Sequence, residues 1–153
     1  MRDRSVEHAT FVVERSYDAS PDRVFAAWSD PEAKARWFDG PEAEFEVDFR
    51  VGGRERRRGP LPDGRAYTFQ ALYHDIVGGR RIVFSYDMHL DETRISVSLA
   101  TVEFTPEPPG TRLVFTEQGA FLDGHEMPAQ REHGMGSLLD ALAAELRSDR
   151  AGA

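Results

Sequence analysis

The stretch Pro128 to Arg147, PAQREHGMGSLLDALAAELR, constrains this chain more than any other. Met135, Leu138, Leu139, Leu142 and Leu146 recur at helical spacing and make one apolar stripe. Arg131, Glu132, Asp140, Glu145 and Arg147 mostly take the other side. A helix of about 20 residues runs roughly 30 Å, the width of a small domain. Nothing else in the chain is both long and helix-periodic, and almost everything before it reads as strand. A lone amphipathic helix has to bury its stripe, and the surface on offer is a sheet face. The expected fold class is therefore α+β, a curved antiparallel sheet wrapped around one long C-terminal helix. Gly134 and Gly136 inside that helix predict a kink or a close backbone approach.

The chain in order fills in the sheet. Thr10 to Tyr17 is a first strand with Phe11 and Val13 on one face. Ser20-Pro21 is a helix start, Asp30-Pro31 ends that helix, and Asp30 can cap a second short one from Glu32 to Trp37. Ala43 to Val51 has the cleanest alternation, with Phe45, Val47, Phe49 and Val51 on one face, and Gly52-Gly53 reads as a hairpin turn. Strands follow at Ala66 to Val77, Arg81 to His89, Arg94 to Thr105 and Arg112 to Phe121. In the third of these the apolar residues switch from Ile95, Val97 and Leu99 to Val102 and Phe104, which predicts a bulge near Ala100.

The segment RERRRG after the glycine pair has no apolar side, so register decides where its charges go. A two-residue turn pairs Val51 with Arg54 and Phe49 with Arg56, and sets Arg50 against Glu55 and Asp48 against Arg57. A three-residue turn pairs Val51 with Glu55 and Phe49 with Arg57, and sends those two inward. In either case an arginine looks into the space between sheet and helix, unless the strand is an open edge whose charges are solvated. A buried guanidinium needs a carboxylate, from Glu55, from Glu117 or from an acidic ligand.

Composition narrows the function classes. One domain spanning residues 1–153 is expected from the length. The net charge of −8 disfavours nucleic acid and anionic membranes as partners. With no cysteine there is no disulfide framework, thiolate metal site or cysteine nucleophile. His8, His74, His89, His125 and His133 lack ligand spacing, so neither metal nor cofactor is expected. The first residues lack a secretory apolar core and no run is long enough to span a membrane, which gives the cytoplasm as the expected location. Lys34 is the one lysine among 19 basic residues, an arginine bias of the kind a GC-rich bacterial coding sequence produces.

A sheet covered by one helix leaves a gap that aromatic residues can line. The expected ligand-binding residues are Trp28, Trp37, Phe49, Arg57, Phe69, Tyr73, Phe84, Tyr86, Phe115, Glu117, Met135 and Leu139. Trp37-Phe38 also reads as a core plug. No catalytic motif is present. Glu117, which shares parity with Leu113 and Phe115, is the one weak candidate for a general acid or base, and a bond to a neighbouring arginine is the structural alternative. His74 and Asp87 have the parity of the solvent face.

Five segments carry a family resemblance: ASPDRVFAAWSDPEAKARWF, DFRVGG, YTFQALYHDIVGGRRIVFSY, TVEFTPEPPGTRLVFTEQGAF and GSLLDALAAEL. Together they resemble the bacterial branch of the heat-shock-chaperone ATPase activator homologue family, within the START and birch-pollen-allergen superfamily of helix-grip proteins. The resemblance implies a helix-grip fold with seven strands, two short helices between strands 1 and 2, and a cavity under the last helix. It implies a small, largely hydrophobic molecule as ligand; a polyketide-cyclase- or hydrolase-like enzyme, or a protein-interaction module acting as chaperone partner or homodimer, are the alternatives. Family members carry apolar residues where this chain has Glu55 and Arg57, and often Trp in place of Met135. The first difference favours the three-residue register and a more polar cavity.

Overall fold

A computed structural model of the protein describes residues 4–151. The chain begins with β1 (Val6–Tyr17), whose Phe11, Val13 and Tyr17 are buried. Two short helices follow, α1 (Pro21–Ser29) and α2 (Pro31–Phe38). Ser20 opens α1 by accepting a hydrogen bond from the Arg23 N–H, with Pro21 in the first turn where its missing N–H costs nothing. Asp30 serves both helices: its N–H donates to the Ala26 carbonyl at 2.9 Å and closes α1. Its carboxylate then accepts from the Glu32 N–H at 3.1 Å and opens α2.

Six strands complete the sheet: β2 (Glu44–Val47), β3 (Arg54–Pro60), β4 (Ala66–Val77), β5 (Arg81–Leu90), β6 (Thr93–Glu107) and β7 (Gly110–Leu122). All pairings are antiparallel, in the order β1-β7-β6-β5-β4-β3-β2. The first strand thus closes on the last, and α3 (Pro128–Ala151) lies across the concave face. This is the α+β helix-grip architecture with the expected element order.

Two local expectations are corrected. The strand expected over Ala43 to Val51 stops at Val47, and neither glycine-turn register forms: Val47 pairs with Glu55 and Phe45 with Arg57. The cause lies in where the glycines bond. Asp48 N–H donates to the Arg54 carbonyl at 2.8 Å, while Gly52 N–H donates to the Tyr73 carbonyl at 2.8 Å and the Gly53 carbonyl accepts from Tyr73 N–H at 3.0 Å. The glycine pair therefore extends the β3–β4 ladder rather than turning a β2–β3 hairpin. Gly52 is left-handed with φ +84, and a Cβ on Gly53 would lie 2.0 Å from the Asp48 carbonyl oxygen. Parity survives the slip, so Glu55 and Arg57 point inward as in the longer register, 1% and 0% exposed. Arg50 pairs with Asp48 instead of Glu55.

The β6 bulge sits at Ile95, not near Ala100: pairing passes from Met88↔Ser96 to His89↔Arg94 and skips Ile95. Beyond it the alternation is regular, with Ser96, Ser98, Ala100, Val102 and Phe104 inward. Two inward serines beside outward Val97 and Leu99 disguised the phase. Ile95 is buried, while Val97 and Leu99 are exposed on the outer face.

On α3, Met135, Leu139, Leu142 and Leu146 are buried and Leu138 partly so. Arg131, expected on the polar side, is buried as well. The helix runs on through both glycines. Gly136 is the site of close approach, where a Cβ would meet the Arg15 guanidinium at 3.0 Å; at Gly134 a Cβ would meet nothing within 4 Å. Tyr17 Oη donates to the Leu139 carbonyl at 2.8 Å, pinning the helix to β1. No helix among the described residues is long and apolar enough to cross a membrane.

Candidate functional site

The long helix does not cover the whole concave face. Between it and β4, β5 and β6 lies a cleft of about 530 Å³, within the range of small-molecule pockets. Phe69, Phe84, Tyr86, Met88, Leu90 and Ile95 form its sheet side, and Met135 and Leu138 its helix side. Trp28 and Phe38 bring in the two short helices, Phe115 lies at the back, and the exposed Gly40, Gln130 and Gly134 mark the mouth.

Of the residues expected at such a site, Trp28, Phe69, Phe84, Tyr86, Phe115 and Met135 line the cleft. Trp37, Phe49, Arg57, Tyr73, Glu117 and Leu139 do not. Trp37 packs edge-to-face on Trp28 at 4.8 Å and donates its indole N–H to the Ala27 carbonyl at 2.9 Å, as a core plug does. Phe49 packs against Phe25 and Tyr73, and Leu139 is fully buried under the helix. The other three belong to two buried polar clusters just behind the cleft wall. The Trp28 indole N–H is buried and has no acceptor among the described residues.

The first cluster joins Lys34 and Asp39 from the α2 end to Glu55 and Arg57 of β3. Lys34 Nζ donates to Glu55 at 3.0–3.1 Å. Arg57 donates to Glu55 and to Asp39, and Tyr73 Oη also donates to Glu55. Rings of Phe45 and Phe38 stack on the Arg57 guanidinium at 4.9 and 5.3 Å. Arg57 thus finds both its carboxylates within the protein. Burial alone would raise the Glu55 carboxyl, but Lys34 and Arg57 outweigh it and hold it down at about 2. Burial pushes the Lys34 ammonium down, aided by the like charge of Arg57, and outweighs the pull of Glu55 and Asp39. Asp39 is raised by burial, against the pull of Arg57.

Sequence reasoning missed Lys34 and Asp39. The signal for Lys34 was its place three residues before Trp37, on the buried face of α2, together with its being the only lysine. Its ammonium lies 4.8 Å from the Phe38 ring centre, 5.4 Å from Trp28, 5.8 Å from Phe84 and 5.9 Å from Phe69. All four rings line the cleft, so a cation lies directly behind its aromatic floor.

The second cluster centres on Arg131. Its Nη1 donates to Tyr86 Oη at 2.8 Å and to Glu117 at 3.2 Å. Nη2 donates to Ser96 Oγ at 2.8 Å and to Glu126 at 2.6 Å, and Nε donates to Glu126 at 2.9 Å. Glu117, 0% exposed, also accepts from Tyr86 Oη at 2.7 Å and Ser98 Oγ at 2.7 Å. Burial opposes the Arg131 charge, and Tyr86, Glu126 and Glu117 more than restore it. Burial beside Glu117 raises the Tyr86 hydroxyl. Arg131 and Tyr86 face the cleft; Glu117 stands behind them and fixes their orientation. His74 is exposed and bonds Ser85, and Asp87 pairs with Arg94. No group of three or more metal-ligating side chains occurs among the described residues.

Comparison with known proteins places this geometry. The family model described as activator of Hsp90 ATPase homolog 1-like protein matches residues 18–147. An uncharacterised protein from Rhizobium leguminosarum is similar at 46% identity, over 95% of this chain and 99% of that one, with a TM-score of 0.90. The Mll3558 protein from Rhizobium loti is similar at 51% identity, over 92% of this chain and 99% of that one, with a TM-score of 0.87. A Staphylococcus aureus protein of unknown function shares the fold at 20% identity, over 95% and 98% of the two chains, with a TM-score of 0.77. No curated protein matches the sequence.

Proposed function

Because the chain belongs to the family of activator of Hsp90 ATPase homolog 1-like proteins, we propose that it binds a small, largely hydrophobic molecule in the cleft between the sheet and α3. The observation that carries this reading is the cleft itself, about 530 Å³ and walled mainly by aromatic and aliphatic side chains. A core that merely needed filling would have closed over that volume, since protein interiors pack to crystal-like density. Catalysis through Glu117 has weaker support. Its carboxylate already accepts from Tyr86, Ser98 and Arg131 and does not line the cleft, so it supports the wall instead of reaching a bound molecule.

Gly134 offers a direct test. It lines the cleft, and a Cβ added there meets nothing within 4 Å. Gly134→Leu should fill the mouth while favouring the helix by up to about 1 kcal/mol. The neutral dye Nile red, titrated by fluorescence, should bind the native protein at one site and bind the variant at least about tenfold more weakly, a change of about 1.4 kcal/mol. Native mass spectrometry of protein taken from cells should show a retained small molecule that the variant lacks. Equal dye binding by the two proteins, with no retained mass, would overturn the proposal.

A further inference from the structure

We infer that Arg131 is the headgroup site of the cleft, that it takes a planar carboxylate on an apolar body, and that Glu126 occupies this site until such a ligand displaces it. The inference rests on the proposed ligand-binding role of the cleft and specifies the chemistry of its one charged wall.

Arg131 is divided between two kinds of acceptor. Its inner side is held by Tyr86, Glu117 and Ser96, all on the sheet and all buried. Its Nε–Nη2 edge is covered by the two oxygens of Glu126, at 2.9 and 2.6 Å. That is the bidentate fork by which a guanidinium recognises a carboxylate. Glu126 differs from Glu117 in setting. It lies on the connection between β7 and α3, its side chain is 20% exposed, and it lines the same cleft.

The exchange therefore conserves what is costly. A buried Arg131 needs a carboxylate on its Nε–Nη2 edge, and a ligand carboxylate supplies one in the same geometry. Glu126, already partly in water, rehydrates at the mouth. The number of ion pairs and the charge around Arg131 are unchanged, and the ligand's apolar body gains Met88, Leu90, Ile95, Met135 and Leu138 as neighbours. Arg57 cannot serve in this way, because both its carboxylate partners are buried and it does not line the cleft. A cationic ligand would face Arg131 itself. A neutral ligand leaves Glu126 in place and uses only the apolar walls.

The test compares octanoate, octan-1-ol and octylammonium on the native protein, Glu126→Ala and Glu126→Gln by calorimetric titration. Removing the resident carboxylate should tighten octanoate binding by about tenfold or more and leave octanol within about twofold. Octanoate, and not octanol, should also raise the melting temperature of both variants more than that of the native protein, since it restores the missing pair. If octanol binds and the variants do not change the preference for octanoate over octanol, the headgroup assignment fails while the cleft reading stands. Preferred binding of octylammonium also overturns the assignment. If none of the three binds any of the proteins, and Gly134→Leu leaves Nile red binding unchanged, both readings fall.

Discussion

Lys34, Asp39, Glu55 and Arg57 are formally neutral as a set, two cations against two anions, and at most 2% of any of their side chains except that of Lys34, at 3%, reaches solvent. Such a set stands only if each charge stays paired, because the desolvation cost of an orphaned ion exceeds what its neighbours return. Glu55 is the hinge of the arrangement, accepting from Lys34, Arg57 and Tyr73. Its carboxyl lies at about 2, below the ordinary 4.5. A depressed carboxyl contributes stability that is fully present above the unfolded value and is lost as pH falls through the folded one. Native protein should therefore lose stability between pH 4.5 and about 2, by an amount on the order of 3 kcal/mol from this group. Glu55→Gln should be less stable at pH 7 and show a flatter dependence across that window. Urea midpoints measured from pH 7 to 2 give the answer, and parallel curves for the two proteins would refute the assignment.

The elements show why some of the fold was legible in sequence and some was not. The long helix, the capped pair α1–α2 and the inward parity of Glu117 follow from spacing, which is a local property. The parity of Glu55 and Arg57 stayed open between two registers, and only the difference from the resembled family favoured the one that turns them inward. The β2–β3 register was not local. It depends on the bonds of Gly52 and Gly53 to Tyr73, a residue on a strand that the hairpin reading left out. A bulge in β6 was legible but its place was not, because Ser96 and Ser98 point inward to polar partners, against the rule that inward means apolar. Arg131 was readable in retrospect: 131, 135, 139, 142 and 146 form one helical stripe, and only its charge argued against burial. The glycines give a prediction at this scale. Gly134→Ala should stabilise by about 1 kcal/mol through helix propensity alone. Gly53→Ala should destabilise by about 1–3 kcal/mol or more, because its Cβ would overlap the Asp48 backbone and cannot be relieved by a side-chain move. Thermal denaturation of the two variants should shift in opposite directions; a shared sign would contradict the packing described.

For the whole molecule, the Arg131 cluster ties α3 to β5, β6 and β7 across the floor of the interior. Arg131→Met would leave Glu117 buried without a cation. It should cost about 3–5 kcal/mol, and the double variant with Glu117→Gln should recover much of that loss. Additive losses in a urea double-mutant cycle would show that the two residues act independently. The other cluster has a consequence for descent as well as for folding. Its members come from two places in the chain, α2 with the residue that follows it, and β3. A single exchange at any one of them strands a partner in the dark of the interior. Substitution at Glu55 or Arg57 toward an apolar residue is tolerable only when Lys34 or Asp39 changes with it. The four positions should therefore covary: across relatives the ionic set should be kept whole or replaced together by apolar residues, while the aromatic wall in front of it changes one residue at a time, and an alignment in which Glu55 or Arg57 is lost alone would contradict this.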